Sequence, residues 1–177
     1  GNLSAAVGAL VGAVVSIVVL PTSTRSTARA SIAKLLRTMA EIAGKLPLEN
    51  PDMAARKDLV SSLRLMDRDI LNMRTTLAPL LRNWSPLKRA EIPLTVYDLT
   101  ILASYLRHLA TNTIEAYDVE QMRSRCREIA KDLQFMAKKL ELNQSIVLEK
   151  KERRQPGGHH HLDRISQILI ELSARKI

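Results

Sequence analysis

The chain opens with one uninterrupted apolar stretch, and no other feature restricts its possible folds as strongly. From Leu3 to Leu20 the sequence reads LSAAVGALVGAVVSIVVL, eighteen residues without a charged side chain. A helix rises about 1.5 Å per residue, so this stretch spans roughly 27 Å, close to the roughly 30 Å hydrocarbon thickness of a bilayer. We therefore predict that residues 1–21 form a transmembrane helix.

Small residues are frequent within this stretch. Gly8 and Gly12 form a GxxxG pair, which lets a neighbouring helix approach closely in a membrane. We therefore expect membrane lipid and other transmembrane helices of the same protein as partners, and we interpret the chain as a fragment of a longer protein. The composition leaves open a fully buried helix in a soluble bundle. A secretory signal peptide is disfavoured because no basic region precedes the stretch.

Basic residues concentrate just after the apolar stretch. Four of them follow within about twenty residues, the region that the positive-inside rule counts: Arg25, Arg29, Lys34 and Arg37. We expect these residues to flank the membrane and some of them to touch anionic headgroups. The predicted location is the cell membrane, with the soluble domain on the cytoplasmic side.

The remainder of the chain is predicted to be all-α. Hydrophobic residues make up 46% of the chain but aromatic residues only 3%, a balance that favours helices packed through Leu, Ile, Met and Ala over a sheet. The predicted architecture is a transmembrane helix followed by a bundle of long antiparallel helices. We divide the soluble part into a helical bundle over 22–148, a charged flexible linker over 149–161 and a C-terminal amphipathic helix over 162–177.

Apolar residues spaced by three and four place five helices in this part. The first is expected from about residue 26 to 46. The second begins at Asn50, as its cap, with Pro51 in the first turn, and ends or bends near Pro79. The third covers about 94–117, and the fourth follows Asp118 as its cap. The apolar seam of the second helix is Leu59, Leu63, Met66, Ile70, Met73, Leu77, Leu80 and Trp84. The seam of the fourth is Val119, Met122, Cys126, Ile129, Leu133, Met136 and Leu140. The seam of the fifth is Leu162, Ile165, Ile168, Leu169 and Leu172.

No motif of an enzyme is present in the sequence. It contains no glycine-rich phosphate loop, no HExxH motif and no nucleophile elbow. Cys126 lies on an apolar seam, where a buried and inert thiol is expected. The tract 159–161 is three consecutive histidines, which either bind a divalent metal or are incidental loop residues; adjacent residues on a helix do not all face one ion, so the second interpretation is favoured. We predict a non-enzyme with no catalytic residue, cofactor or metal.

The formal charge of +9 also raises the possibility of nucleic-acid binding. The fourth helix carries several basic residues, but acidic residues alternate with them and aromatic residues for base stacking are scarce. A solvated helix face explains this pattern better, so nucleic acid is disfavoured as a partner.

The junction between the apolar stretch and the first helix resembles a known family. The sequence VVLP, followed by TRSTARASIAKLLRTMAEIAGKL, is similar to the end of the last span in the fusaric acid resistance or aromatic acid exporter family. The resemblance covers Val15 to Leu46 best, and the rest by architecture only. It implies an oligomeric membrane protein that exports aromatic or other organic acids, and it carries over no individual binding residue.

Two functions therefore stand as expectations. The first is a fragment of an integral membrane transporter resembling these exporters, whose soluble helical domain serves assembly, with a homo-oligomer as the expected state. The alternative is an α-helical adaptor or scaffold protein that transports nothing, either membrane-anchored or soluble.

Overall fold

The computed structural model describes residues 26–82, 91–111, 119–142 and 160–174. They form five helices: α1 over 26–45, α2 over Met53–Arg82, α3 over Glu91–Thr111, α4 over Val119–Glu141 and α5 over His160–Ala174. No strand occurs among these residues, which confirms the all-α class for the described part. None of the described helices combines the length and apolar character needed to cross a bilayer. The predicted span, 1–21, lies outside the described residues.

Helix α1 is the most widely buried element of the bundle. Two adjacent apolar stripes run along it, one with large side chains and one rich in alanine. Alanine lets a neighbouring helix approach closely, so α1 packs partners on two sides. The buried residues are Ala28, Ile32, Ala33, Leu35, Leu36, Met39, Ala40, Ile42 and Ala43.

Helices α1 and α2 are antiparallel. Three side-chain contacts join them, in which Ser31 meets Thr76, Thr38 meets Asp69 and Lys45 meets Ser62. Because the residue number rises along α1 while it falls along α2, the two helices run in opposite directions. This pair confirms one of the predicted antiparallel hairpins.

The other helices complete a closed circuit around a single core. Helix α2 contacts α3, α3 contacts α5, and α5 contacts α4. Hydrogen bonds from α1 reach the end of α4, so every described helix has at least two neighbours. All the buried apolar residues in the described part of the chain belong to one cluster, and burial of each large side chain stabilises the fold by roughly 1.5–3 kcal/mol.

The turn between α1 and α2 differs from the prediction. Asp52, not Asn50, caps α2, because its Oδ1 accepts a hydrogen bond from the amide of Ala55 at 2.7 Å. Asn50 instead adopts a φ of 41°, the left-handed conformation that asparagine tolerates better than most residues. Helix α2 also continues three residues beyond Pro79, to Arg82.

The predicted seams agree with burial wherever the structure describes them. Every predicted seam residue of α4 and α5 is buried except Val119, which is half-buried, as is Ile70 of α2. Leu80 and Trp84, at the end of the α2 seam, lie outside the described side chains. Helix α5 begins at His160, two residues before the predicted start of the C-terminal helix at residue 162.

Candidate functional site

The predicted site residues that the structure describes, Arg29, Lys34 and Arg37, lie on α1 towards one end of the bundle, which we call the proximal end. It comprises the start of α1, the C-terminal turns of α2 and α4, and the first half of α3. Hydrogen bonds hold these segments side by side, from Ser31 to Thr76, from Arg29 to the carbonyl of Leu140, and from Arg74 to Thr100. Of the residues predicted to pack in or flank the membrane, Gly8, Gly12 and Arg25 lie outside the described residues.

The three described residues that were predicted to flank the membrane all contact other parts of the bundle. Arg29 is half-buried, and its Nε donates to the Leu140 carbonyl oxygen at 3.3 Å. Burial lowers the pKa of Arg29. The carbonyl groups at a helix end have no partner within their own helix, so this bond fastens the end of α4 to α1.

Arg37 makes the second connection between α1 and α4. Its Nε and Nη2 donate to the two carboxylate oxygens of Glu141, at 2.6 and 2.7 Å. These hydrogen bonds raise the pKa of Arg37 and lower the pKa of Glu141. The two-bond geometry gives this exposed pair a defined orientation.

Lys34 lies beside a buried carboxylate on α2. Its Nζ is 3.8 Å from Oδ1 of Asp69, whose side chain is only 1% exposed. The other oxygen, Oδ2, accepts a hydrogen bond from the hydroxyl of Thr38 at 2.6 Å. Among the described residues, no hydrogen-bond donor reaches Oδ1, so the ammonium of Lys34 supplies its charge compensation.

Sequence reasoning missed Asp69, although a signal for it was present. Asp69 follows Met66 by three residues and precedes Met73 by four, so it lies on the buried face of α2. A carboxylate on such a face needs a partner. Lys34 and Thr38, one turn apart on α1, supply the charge and the hydroxyl that it needs.

A polar groove opens between α1 and α2 at the proximal end. It encloses about 390 Å³, with Lys34 and Asp69 in its wall. The other polar side chains that line it are hydroxyls and one amide: Thr27, Ser31, Asn72, Thr75 and Thr76. The lining of the groove brings together no histidine or cysteine that could serve as a base or a nucleophile.

The hydroxyls of this groove are partly engaged by backbone. Thr75 and Thr76 donate to the carbonyls of Leu71 and Asn72, four residues earlier in α2. Ser31 in turn donates to Thr76 Oγ1 at 3.2 Å. A short chain of hydrogen bonds therefore links α1 to the backbone of α2, and the groove also serves to join these helices.

Cys126 lies in the core of the bundle, as predicted. It is 1% exposed, and burial raises the pKa of its thiol to about 11, outweighing the opposing effect of nearby Arg125. The thiolate is the reactive form of cysteine, so this residue is chemically inert in the folded protein.

The histidine tract is partly within a helix. His160 and His161 begin α5, and the His161 ring lies 4.2 Å from that of His108 on α3, measured between centroids. The Tyr105 ring lies 5.3 Å away. His161 therefore packs α5 against α3 and is not an incidental loop residue. Within the described residues, no group of three potential ligands is arranged to hold a metal ion.

Comparisons with protein-family models, with curated proteins and with solved structures find no significant match to this chain.

Proposed function

We propose that the chain is the last span and the cytoplasmic helical domain of an integral membrane transporter that exports aromatic or other organic acids. In this proposal the bundle serves assembly, and the transport pathway lies in other spans of the same protein. The observation that carries the proposal is the charge-free stretch Leu3–Leu20 with basic residues immediately after it.

The position of α1 supports this role for the bundle. Helix α1 begins no more than six residues after the apolar stretch, and hydrogen bonds join it to both α2 and α4. Asp69 and Thr76 of α2 accept hydrogen bonds from α1, and the Leu140 carbonyl at the end of α4 accepts another. A displacement of the membrane part would therefore move the whole bundle and not one loose helix.

The basic residues that follow the apolar stretch also make contacts within the bundle, which adds a second role to the one expected at the membrane. Arg37 is bonded to Glu141, and Lys34 lies beside Asp69. Both residues therefore fasten the bundle together as well as adding positive charge near the membrane. Contacts between Arg37 or Lys34 and lipid headgroups would be in addition to these protein contacts.

A genetic experiment tests the proposed transport function. Deletion of the whole gene that encodes this chain is expected to lower the concentration of aromatic carboxylic acid that the host tolerates, and the intact gene should restore it. A gene carrying Ile129→Asp should fail to restore tolerance, because Ile129 is buried in the core and an isolated buried carboxylate disrupts packing. The matched control is Leu71→Asp, at a side chain that is 62% exposed, which should restore tolerance.

The adaptor alternative predicts a different result. The transport proposal is contradicted if deletion of the gene leaves tolerance of every organic acid tested unchanged, although the strain with the intact gene carries the protein in its membrane fraction. A membrane-anchored scaffold protein would then account for the same bundle.

A further inference from the structure

An exposed stripe on the second half of α4 combines basic and apolar side chains. Lys131, Phe135, Lys138 and Leu142 follow one another at spacings of four, three and four, which places them on one face of the helix. Phe135 is 40% exposed and Leu142 is 55% exposed. Part of the apolar surface of both side chains is therefore open to solvent.

The α4 stripe carries two positive charges, those of Lys131 and Lys138, although Glu128, three residues before Lys131, continues the same face of α4. Neither Lys131 nor Lys138 forms an ion pair with any described residue. The nearest carboxylate along the helix end, Glu141, is bonded to Arg37. Lys139 adds another positive charge, with its Nζ 5.4 Å from the centre of the Phe135 ring. The stripe therefore suits an anionic partner that also accepts apolar groups.

The α4 stripe reaches the proximal end of the bundle. Arg29 of α1 is bonded to the carbonyl of Leu140, two residues before Leu142. Tyr97 of α3, 62% exposed, lies at the same end, since nearby Thr100 is bonded to Arg74 of α2. Aromatic side chains are enriched where a protein meets the membrane interface.

The length of the connecting chain limits how far this end lies from the membrane. If the apolar stretch ends in the bilayer at Leu20, the chain to Ser26 extends at most about 20 Å. Packed helices lie about 8–10 Å apart, so the end of α4, beside α1, lies at most about 30 Å from the bilayer.

We propose that the α4 stripe docks on the anionic surface of the membrane. Phe135 and Leu142 enter the headgroup region, while Lys131 and Lys138 bind lipid phosphates with their aliphatic stems along the interface. This inference rests on the proposed function, because it needs the apolar stretch to be inserted in the bilayer.

Site-specific fluorescence on the full chain tests this docking. A Leu142→Cys variant in a Cys126→Ala background is labelled with an environment-sensitive fluorophore and reconstituted in vesicles. With vesicles containing phosphatidylglycerol, we expect the label to be shielded from iodide quenching relative to vesicles of phosphatidylcholine alone. Replacing both lysines by Gln should lower the docked-to-undocked ratio roughly fivefold for each lysine.

The matched control is Val60→Cys, at an exposed side chain near the opposite end of the bundle. Its label should stay equally accessible to iodide in both kinds of vesicle. Equal accessibility of the 142 and 60 labels in anionic vesicles would overturn the docking. Shielding of the 142 label that depends on protein concentration and not on lipid charge would also overturn it, because a second copy of the chain would then cover the stripe.

One additional measurement separates this inference from the proposed function. If carbonate fails to extract the labelled chain from the vesicles but the 142 label stays accessible, only the docking is wrong. Release of the chain by carbonate would overturn both.

Discussion

Asp69 joins α2 to two side chains of α1. Its carboxylate is buried, accepts a hydrogen bond from Thr38 and lies beside Lys34. Asp69→Ala should therefore lower the free energy of unfolding by about 1–3 kcal/mol, the cost of removing a buried hydrogen-bond partner. Urea denaturation measures this change. The control is Asp67→Ala, which breaks an exposed ion pair with Arg107 and should cost at most about 1 kcal/mol. Equal effects of the two changes would contradict the assigned role of Asp69.

The pair between Arg37 and Glu141 makes a pH-dependent contribution to stability. Hydrogen bonds from Arg37 lower the pKa of Glu141, so the folded state favours the ionised carboxylate. This contribution is fully present above the ordinary glutamate pKa of about 4.3, and it is lost as the pH falls through the lower pKa of the folded state. An NMR titration of the Glu141 carboxyl should show the low pKa, and Arg37→Gln should raise it to the ordinary range. An unchanged titration in the variant would show that the pair does not form in solution.

Cys126 should resist thiol reagents as long as the bundle is folded. Because burial raises its pKa to about 11, Ellman's reagent should react at least about a hundredfold more slowly than with an exposed cysteine. The comparison is Ser124→Cys in a Cys126→Ala background, because Ser124 is exposed on the same helix. Comparable rates for the two proteins without denaturant would mean that the α4 seam does not face the core.

At the scale of the helix, Gly44 offers a stabilising change. It lies in the last turn of α1, and a Cβ built there meets no atom within 4 Å. Glycine loses more conformational entropy than alanine in a helix, so Gly44→Ala should raise the free energy of unfolding by roughly 0.5–1 kcal/mol. Thermal unfolding measures this shift. A lower melting temperature would indicate that the backbone at this position is not helical in solution.

How well the buried face and the ends of each helix could be predicted depends on the kind of sequence pattern that marks them. The seams of α4 and α5 were predictable because their buried residues, such as Ile129 and Leu169, repeat at helical spacing. The start of α2 was not, because Asn50 and Asp52 are both good caps and only the backbone conformation decides between them. The contact of His161 with His108 joins residues more than fifty positions apart, and no local pattern reveals such a pairing. The position of Asp69 on the buried face of α2 was predictable from the apolar residues around it, but a single charged residue among apolar ones was not predicted to be buried.

At the scale of the whole molecule, an apolar stretch precedes a helical bundle in which α1 is the most widely buried helix. The basic residues after the apolar stretch were predicted to flank the membrane, some of them in contact with headgroups, whereas Arg29 and Arg37 bind the end of α4. Sequence alone did not reveal this second role, because it depends on where the end of α4 lies in the fold. The polar groove between α1 and α2 likewise arises only when residues from both helices come together.

The measurement that tests the account most directly is carbonate extraction of membranes from cells that produce the chain. We expect the intact chain to stay with the lipid, and a Leu10→Lys, Val14→Lys variant to be released, because each charge near the bilayer centre costs at least about 2.5 kcal/mol. Release of the unaltered chain into the carbonate supernatant would contradict the membrane assignment. The proposed transporter would then be wrong, and residues 3–20 would have to pack against protein instead of lipid.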